Sequence, residues 1–194
     1  MVRRPEPALD FYLKHPVDFD ALNELDEPPE GVDEADWRLF ESVSAQASEQ
    51  AGALVIEASL LGQSVFEKRF ERIGGSRLKM ASQQWYAWVD LKERTKKAKR
   101  DHFWLGCAIE TSAERGAELV PYLASSKQWN GKLGELLTNL RRQKVVRAEA
   151  IHEEGQVVIT LARLPLPPGV DLEQSLAECR NVFELLATAR DTDW

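Results

Sequence analysis

The residues best suited to chemistry in this sequence form an acid-x-lysine pattern, Asp90-Leu91-Lys92, after a presumed strand. At a strand end, a carboxylate can hold a divalent metal and a neighbouring ammonium group can position an attacking water, as in a metal-dependent nuclease. Such a site needs an earlier acid, which would be Glu57 or Glu71. The alternative is a solvated strand end, because a three-residue pattern of this kind arises by chance in most chains of this length.

A second set of residues could bind phosphate. Between Arg77 and Asp101 there are eight Lys/Arg residues against three acids, next to an aromatic cluster of Trp85, Tyr86 and Trp88. Clustered cations neutralise phosphates, and exposed aromatic rings stack on unpaired bases. The candidate nucleic-acid-binding residues are Arg77, Lys79, Lys92, Arg94, Lys96, Lys97, Lys99 and Arg100. The alternative is that the rings belong to the core and the run from Lys92 to Arg100 is solvated.

Other chemical signatures are missing from the sequence. The three histidines, His15, His102 and His152, lie far apart and have no cysteine or acid at metal-ligand spacing. The sequence contains no phosphate-binding glycine loop, nucleophile elbow or zinc-protease motif. It therefore predicts a protein that is not an enzyme and has no catalytic residue, metal or cofactor.

Composition predicts a globular protein of a reducing compartment. The 194 residues are 43% apolar and 29% charged, near the average of folded domains. The chain holds no apolar run long enough for a transmembrane helix, and its first residues lack the apolar region of a secretory signal. Cys107 and Cys179 each lie in an apolar pattern, which predicts two buried thiols. A bacterial-type cytoplasm is the expected location.

Residues 1–32 are predicted to form an extended acidic arm. They contain five prolines, and residues 1–36 hold eleven acids against three bases, so the remaining chain is close to neutral. Several apolar residues are too hydrophobic for a spacer and are expected to dock either on the body or on a partner. The candidate partner-binding residues are Phe11, Tyr12, Leu13 and Phe19.

Residues 33–124 mix helical and extended patterns. Asp33 is a predicted N-cap for a helix that begins near Trp37 and ends at Gly52. Residues 53–62 alternate as in a strand, although a helix through the same residues is the main rival, and residues 64–73 are equally ambiguous. Two strands are predicted at residues 85–89 and 103–109. Pro121 is expected to break a weakly helical piece.

The C-terminal residues predict an α-β-β-α unit. Ser125 with Gln128 forms a capping box for a helix over residues 129–144. Two β-rich runs, 144–151 and 156–164, follow with a four-residue connection, and Asp171 with Gln174 caps a second helix. The apolar face of that helix consists of Leu172, Leu176, Cys179, Phe183 and Leu186. The fold class is therefore α+β, with an antiparallel sheet in one domain over residues 33–194.

Residues 155–189 read GQVVITLARLPLPPGVDLEQSLAECRNVFELLATA, a strand that leads through a Pro/Gly stretch into an amphipathic closing helix. This segment resembles the end of YbjN-like proteins, which share the type III secretion chaperone-like fold. It covers about a fifth of the chain. The resemblance implies an α+β module whose sheet and helices bind other proteins, often as a dimer, and it assigns no functional residue.

The leading hypothesis is a non-enzymatic interaction module, such as an adaptor, a chaperone-like protein or a subunit of a cytoplasmic complex. Its expected partner is another protein or a second copy of the chain, and not a membrane. A nucleic-acid-binding subunit that uses residues 77–101 is the alternative, and a metal-dependent nuclease is the third hypothesis.

Overall fold

Helices pack on one face of an antiparallel sheet, which confirms the predicted α+β class. The structure is a computed structural model that describes residues 2–67, 70–72, 77–81, 84–93, 102–126, 138, 142, 149–153 and 156–188. The helices whose bounds lie within these described residues are α1 (Pro7–Lys14), α2 (Pro16–Asn23), α3 (Glu34–Phe66) and α4 (Leu172–Thr188).

The strands form one sheet. They are β1 (Phe70–Arg72), β2 (Arg77–Ala81), β3 (Gln84–Glu93), β4 (His102–Ser112), β5 (Gly116–Ser126), β6 (Glu149–Glu153), β7 (Gln156–Thr160) and β8 (Leu164–Pro165). The strand order is β1-β3-β4-β5-β7-β6, with β2 also on β3 and β8 also on β5. Long strands β3, β4 and β5 form the centre, which confirms the strands predicted around residues 85–89 and 103–109.

The core lies between the central strands and the helices. Alternate residues of β3, β4 and β5 are buried beneath α3 and α4, for example Val89, Leu105 and Leu123. On the opposite face the same strands carry Tyr86, Trp88 and other half-buried residues. Successive side chains of a strand point to opposite faces, so the two sets separate by sequence parity.

Helix α3 corrects the prediction for residues 53–62. It runs without interruption for 33 residues, so the predicted C-terminus at Gly52 and the strand after it are wrong. The rival helical pattern was correct: Leu54 and Ala58 are buried, whereas Leu60, which a core-facing strand would bury, is exposed. The predicted start was also correct, because the Asp33 carboxylate accepts hydrogen bonds from the backbone N–H groups of Ala35 and Asp36 at 2.8 and 2.9 Å.

The prediction of an extended arm over the first 32 residues is wrong. These residues contain α1 and α2, each of eight residues, and each helix begins at a proline, Pro7 and Pro16. A proline at the first helical position loses no hydrogen bond, and its fixed φ suits a helix. The prolines therefore start short helices here and do not prevent them. Both helices bury apolar residues in the same core as the body.

Strand β5 corrects two further predictions. Pro121 does not break a helix but lies inside β5, between the part that pairs with β8 and the part that pairs with β7. A proline is tolerated there because its missing N–H falls where the neighbouring strand changes. Ser125 is a buried residue of β5 opposite Phe103 and Val157, so it does not cap a helix.

The C-terminal unit is confirmed where it is described. Strands β6 and β7 form an antiparallel hairpin, with pairing up to Glu153 and Gln156, so the connection is two residues and not four. In α4 the five predicted apolar residues are all buried. The preceding predicted helix lies outside the described residues except for Thr138 and Arg142, which are both helical.

Candidate protein-interaction site

The N-terminal segment is clasped to the loop that precedes α4. The Arg3 carbonyl accepts a hydrogen bond from the Leu172 N–H at 2.8 Å, and the Arg3 N–H donates to the Asp171 carboxylate at 3.2 Å. Arg4 donates to the Gly169 carbonyl, and the Gly169 N–H donates to the Asp10 carboxylate at 2.5 Å. These bonds fix α1 relative to α4, although the two elements are about 160 residues apart in sequence.

Gly169 permits this clasp. Its φ of +66° lies in the left-handed region that side-chain-bearing residues avoid. The turn directs both its N–H and its carbonyl towards the N-terminal segment. The Asp171 carboxylate also accepts from the Glu173 N–H at 3.1 Å, so one side chain caps α4 and holds Arg3.

Helix α1 divides its residues between the core and the surface. Ala8, Leu9, Tyr12 and Leu13 are buried, and the Leu9 N–H donates to the side-chain oxygen of Gln50 at 2.9 Å. Phe11, on the opposite side, keeps 48% of its surface exposed. Its ring contacts His15, with the ring centroids 5.2 Å apart.

Phe11 lies in an open groove of about 550 Å³. The groove is lined by Arg4, Pro5, Pro7, Asp10, Phe11, Lys14 and Gly169. We call this surface the N-terminal groove. Its lining contains two cations, Arg4 and Lys14, and one carboxylate, that of Asp10, which already accepts a hydrogen bond from the Gly169 N–H. The groove thus offers an aromatic ring, two proline rings and a net positive charge.

The four predicted partner-binding residues separate into two groups. Tyr12, Leu13 and Phe19 are buried in the protein's own core, which is the intramolecular docking that the sequence left open. Tyr12 packs edge-on against Trp85 and Phe19, with centroid distances of 4.4 and 5.1 Å. Phe11 is the member of the set that stays exposed. The structure thus places a single predicted partner-binding residue at the surface.

Helix α2 carries a buried carboxylate, that of Asp20. Asp20 accepts a hydrogen bond from the Thr111 hydroxyl at 2.7 Å and is 6% exposed. Burial raises the pKa of Asp20, against the lowering effect of that hydrogen bond. Burial also raises the pKa of the Tyr12 hydroxyl, and the Asp20 charge adds to the shift. Asp20 and Thr111 link α2 to the end of β4.

The chain matches no protein-family model. No curated protein and no solved structure matches it either. The geometry of its own residues therefore carries the functional argument. In the described part of the chain, no helix is long and apolar enough to cross a membrane.

The predicted nucleic-acid-binding residues are only partly described. Arg77 and Lys79 lie in β2, directly opposite Trp88 and Tyr86 of β3, and Lys92 lies near the end of β3. Arg94, Lys96, Lys97, Lys99 and Arg100 lie outside the described residues. The Tyr86 and Trp88 rings stack with centroids 5.7 Å apart and an angle of 17°. Trp85 instead belongs to the core.

The fold separates the acid-x-lysine pattern from Glu57 but not from Glu71. Asp90 is buried, and Lys92, two positions later in the same strand, lies opposite Glu71 of β1 in the strand register. Glu57 lies on α3 and forms an ion pair with Arg3 at 2.7 Å, on the helical side of the sheet. Among the described residues, no three His, Cys, Asp or Glu side chains are grouped so as to hold a metal ion.

Sequence reasoning missed most of the N-terminal groove. Arg4, Asp10 and Lys14 belong to no motif, and the sequence indicates for Gly169 only a place in the Pro/Gly stretch before the closing helix. The groove depends on contacts across about 160 residues, which no local pattern reveals. The prolines at the starts of α1 and α2 were the one sequence signal for the short helices that build this surface.

Proposed function

We propose that this protein is a non-enzymatic interaction module of a cytoplasmic complex, and that it binds a partner protein through the N-terminal groove. The observation that carries the proposal is Phe11, a large apolar side chain left half exposed in a groove with two proline rings. Aromatic anchors in concave sites supply most of the binding energy in protein interfaces. The resemblance of residues 155–189 to a chaperone-like family points to the same class of function.

The rigidity of the groove favours binding. Four hydrogen bonds connect residues 3–10 to residues 169–172, and α1 is anchored by Tyr12 in the core. A surface that is already ordered loses little conformational entropy when a partner docks. The groove therefore serves as a preformed receptor, and the partner contributes the flexible segment.

Charge defines the expected partner segment. Lys14 and Arg4 flank Phe11, and Asp10 has one carboxylate oxygen bonded to Gly169. An apolar side chain next to an acidic one matches this lining, because opposite charges across an interface assist association and select against other partners. The proposed ligand is thus an acidic, apolar segment of another protein.

Two pairs of variants test this proposal. Phe11→Ser should abolish capture of a partner from the native host, whereas Val17→Ser, a similarly exposed residue of α2 outside the groove, should retain it. Lys14→Glu should weaken capture, whereas Arg38→Glu on exposed α3 surface should not. Quantitative mass spectrometry of co-purified proteins, with unchanged Tm as a folding check, gives the readout.

Each outcome of this experiment is decisive. A protein that is lost with Phe11→Ser, captured less with Lys14→Glu and kept in both controls supports the groove. Equal capture by all variants would show that the partner binds elsewhere. If the wild-type protein retains nothing above a tag-only control, the interaction function itself is overturned.

Nucleic-acid binding is a second candidate because of the stacked Tyr86–Trp88 pair with Arg77 and Lys79 in the adjacent strand. If these two cations contact phosphates of a single strand, Arg77→Gln with Lys79→Gln should lower the slope of log affinity against log salt by about 1.4. An unchanged slope, or no binding of single-stranded oligonucleotides at about 50 mM salt, would reject this candidate.

A further inference from the structure

The two cysteines of the chain meet in the core. Cys107 lies in the middle of β4 and Cys179 in α4, and both are fully buried. Their sulfur atoms are 3.4 Å apart, although the residues are 72 positions apart in sequence. Both are free thiols in this structure. The sequence predicted two buried thiols but not that they would touch.

Close packing of α3 against β4 and α4 brings the sulfurs together. A Cβ atom added at Gly62 would lie 2.5 Å from Leu105 and 2.7 Å from the Phe183 ring, so α3 approaches both elements closely. Phe183 lies one helical turn after Cys179, and Leu105 lies two residues before Cys107 on the same face of β4.

Ser59 of α3 fixes the backbone at Cys107. Its hydroxyl oxygen accepts a hydrogen bond from the Cys107 N–H at 3.0 Å. The same hydroxyl oxygen lies 2.7 Å from the carbonyl oxygen of Val55 and 3.0 Å from that of Ala87, and its one proton can be donated to either. The Tyr122 hydroxyl reaches the same Ala87 carbonyl at 3.2 Å from the opposite face. Cys107 is therefore held at a defined position and not on a mobile loop.

We propose that Cys107 and Cys179 are an oxidation site at which a small peroxide forms a disulfide between β4 and α4. The sulfurs must approach from 3.4 Å to about 2.05 Å, the length of a disulfide bond. The sulfurs must therefore close a gap of about 1.4 Å, which side-chain rotation of the two cysteines and a shift of α4 would share. The proposal does not depend on the interaction function above.

The reaction balances with hydrogen peroxide as the oxidant. One cysteine thiolate attacks a peroxide oxygen, the O–O bond breaks, and the leaving hydroxide takes the thiol proton to become water. The second thiol sulfur then attacks the resulting sulfenic acid, the S–O bond breaks, and a second water leaves. Two thiols are oxidised to one disulfide, and one peroxide is reduced to two waters.

Burial makes the reaction slow. The pKa of the Cys107 thiol is raised by burial, so the folded protein holds little of the reactive thiolate. Oxidation should therefore proceed through local opening of α4, which exposes Cys179 and lets peroxide and solvent reach the pair. The disulfide, once formed, opposes that same opening.

The product can be identified by mass and by peptide mapping. Peroxide treatment should lower the mass by about 2 Da. Trypsin should then release residues 101–115 joined to residues 164–180, since each cysteine lies alone in one of these peptides. A disulfide between residues 72 positions apart should raise Tm by about 10 °C, and a reducing agent should reverse the rise.

Single variants provide matched controls. Cys107→Ala and Cys179→Ala each keep one thiol, so neither should gain Tm after peroxide treatment. The proposal is overturned if both wild-type thiols still titrate in denaturant after prolonged treatment, or if sulfinic acid forms without the cross-linked peptide. A disulfide that lowers Tm would also overturn it, because the native positions of β4 and α4 would then not accommodate the bond.

Discussion

Replacing Gly62 by alanine should destabilise this protein, although the same change stabilises most helices. Gly62 lies inside α3, where a helix normally prefers alanine by about 1 kcal/mol. The added methyl group would, however, lie 2.5 Å from Leu105 Cδ2 and 2.7 and 2.9 Å from two Phe183 ring carbons. Carbon atoms pack best at about 3.5–4.0 Å, so both neighbours must retreat by roughly 1 Å.

The size of the effect follows from where those neighbours lie. Leu105 and Phe183 are fully buried, and overpacking a close-packed core costs about 1–3 kcal/mol. All three contacts are far too short, which places the cost near about 3 kcal/mol before the helical gain is subtracted. The net loss of about 2 kcal/mol should lower Tm by about 4–8 °C.

Thermal and urea unfolding of three single variants and one double variant would test this reasoning. Ala53→Gly, at an exposed position of the same helix, measures the helical preference alone. Leu105→Val removes the closest methyl group, so adding it to Gly62→Ala should recover about 1 kcal/mol relative to the sum of the single changes. A Gly62→Ala protein more stable than wild type would refute the close approach of α3, β4 and α4.

Further predictions concern two helix caps and a buried acid. Asp33→Ala removes two N-cap hydrogen bonds and should cost about 1 kcal/mol, measured by urea unfolding. Asp171→Ala should cost more, because Asp171 also holds Arg3, and equal losses would argue against the N-terminal clasp. Burial raises the pKa of Asp20, so its contribution to stability is present at low pH and lost as pH rises through that pKa. Asp20→Asn should therefore be more stable than wild type at neutral pH, and this advantage should shrink as the pH falls towards 3.8, the ordinary pKa of an aspartic acid. An advantage independent of pH would contradict this.

The sequence predicted elements whose signals were local. The Asp33 cap, the central strands and the buried face of α4 all depend on residues within a few positions of each other. The long helix α3 was divided wrongly because residues 53–62 fit both a strand and a helix period. Ala51, Gly52 and Gly62 are buried within this helix, and at Gly62 the missing side chain allows close packing rather than ending the helix.

The candidate sites escaped prediction because they join distant parts of the chain. Phe11 was recognised as apolar, but its exposure depends on Tyr12 and Phe19 turning into the core. Cys107 and Cys179 were each predicted to be buried, yet their contact follows from how α4 crosses β4. Burial can be predicted from periodicity, whereas contacts between particular side chains require the tertiary arrangement.

The clasp between residues 3–10 and 169–172 has a consequence for how the protein is made. Asp10 leaves the ribosome about 160 residues before Gly169, its hydrogen-bond partner. At about 5–20 residues per second, the N-terminal groove stays incomplete for roughly 8–30 s of synthesis. A partner that recognises this groove would thus bind finished chains and pass over nascent ones.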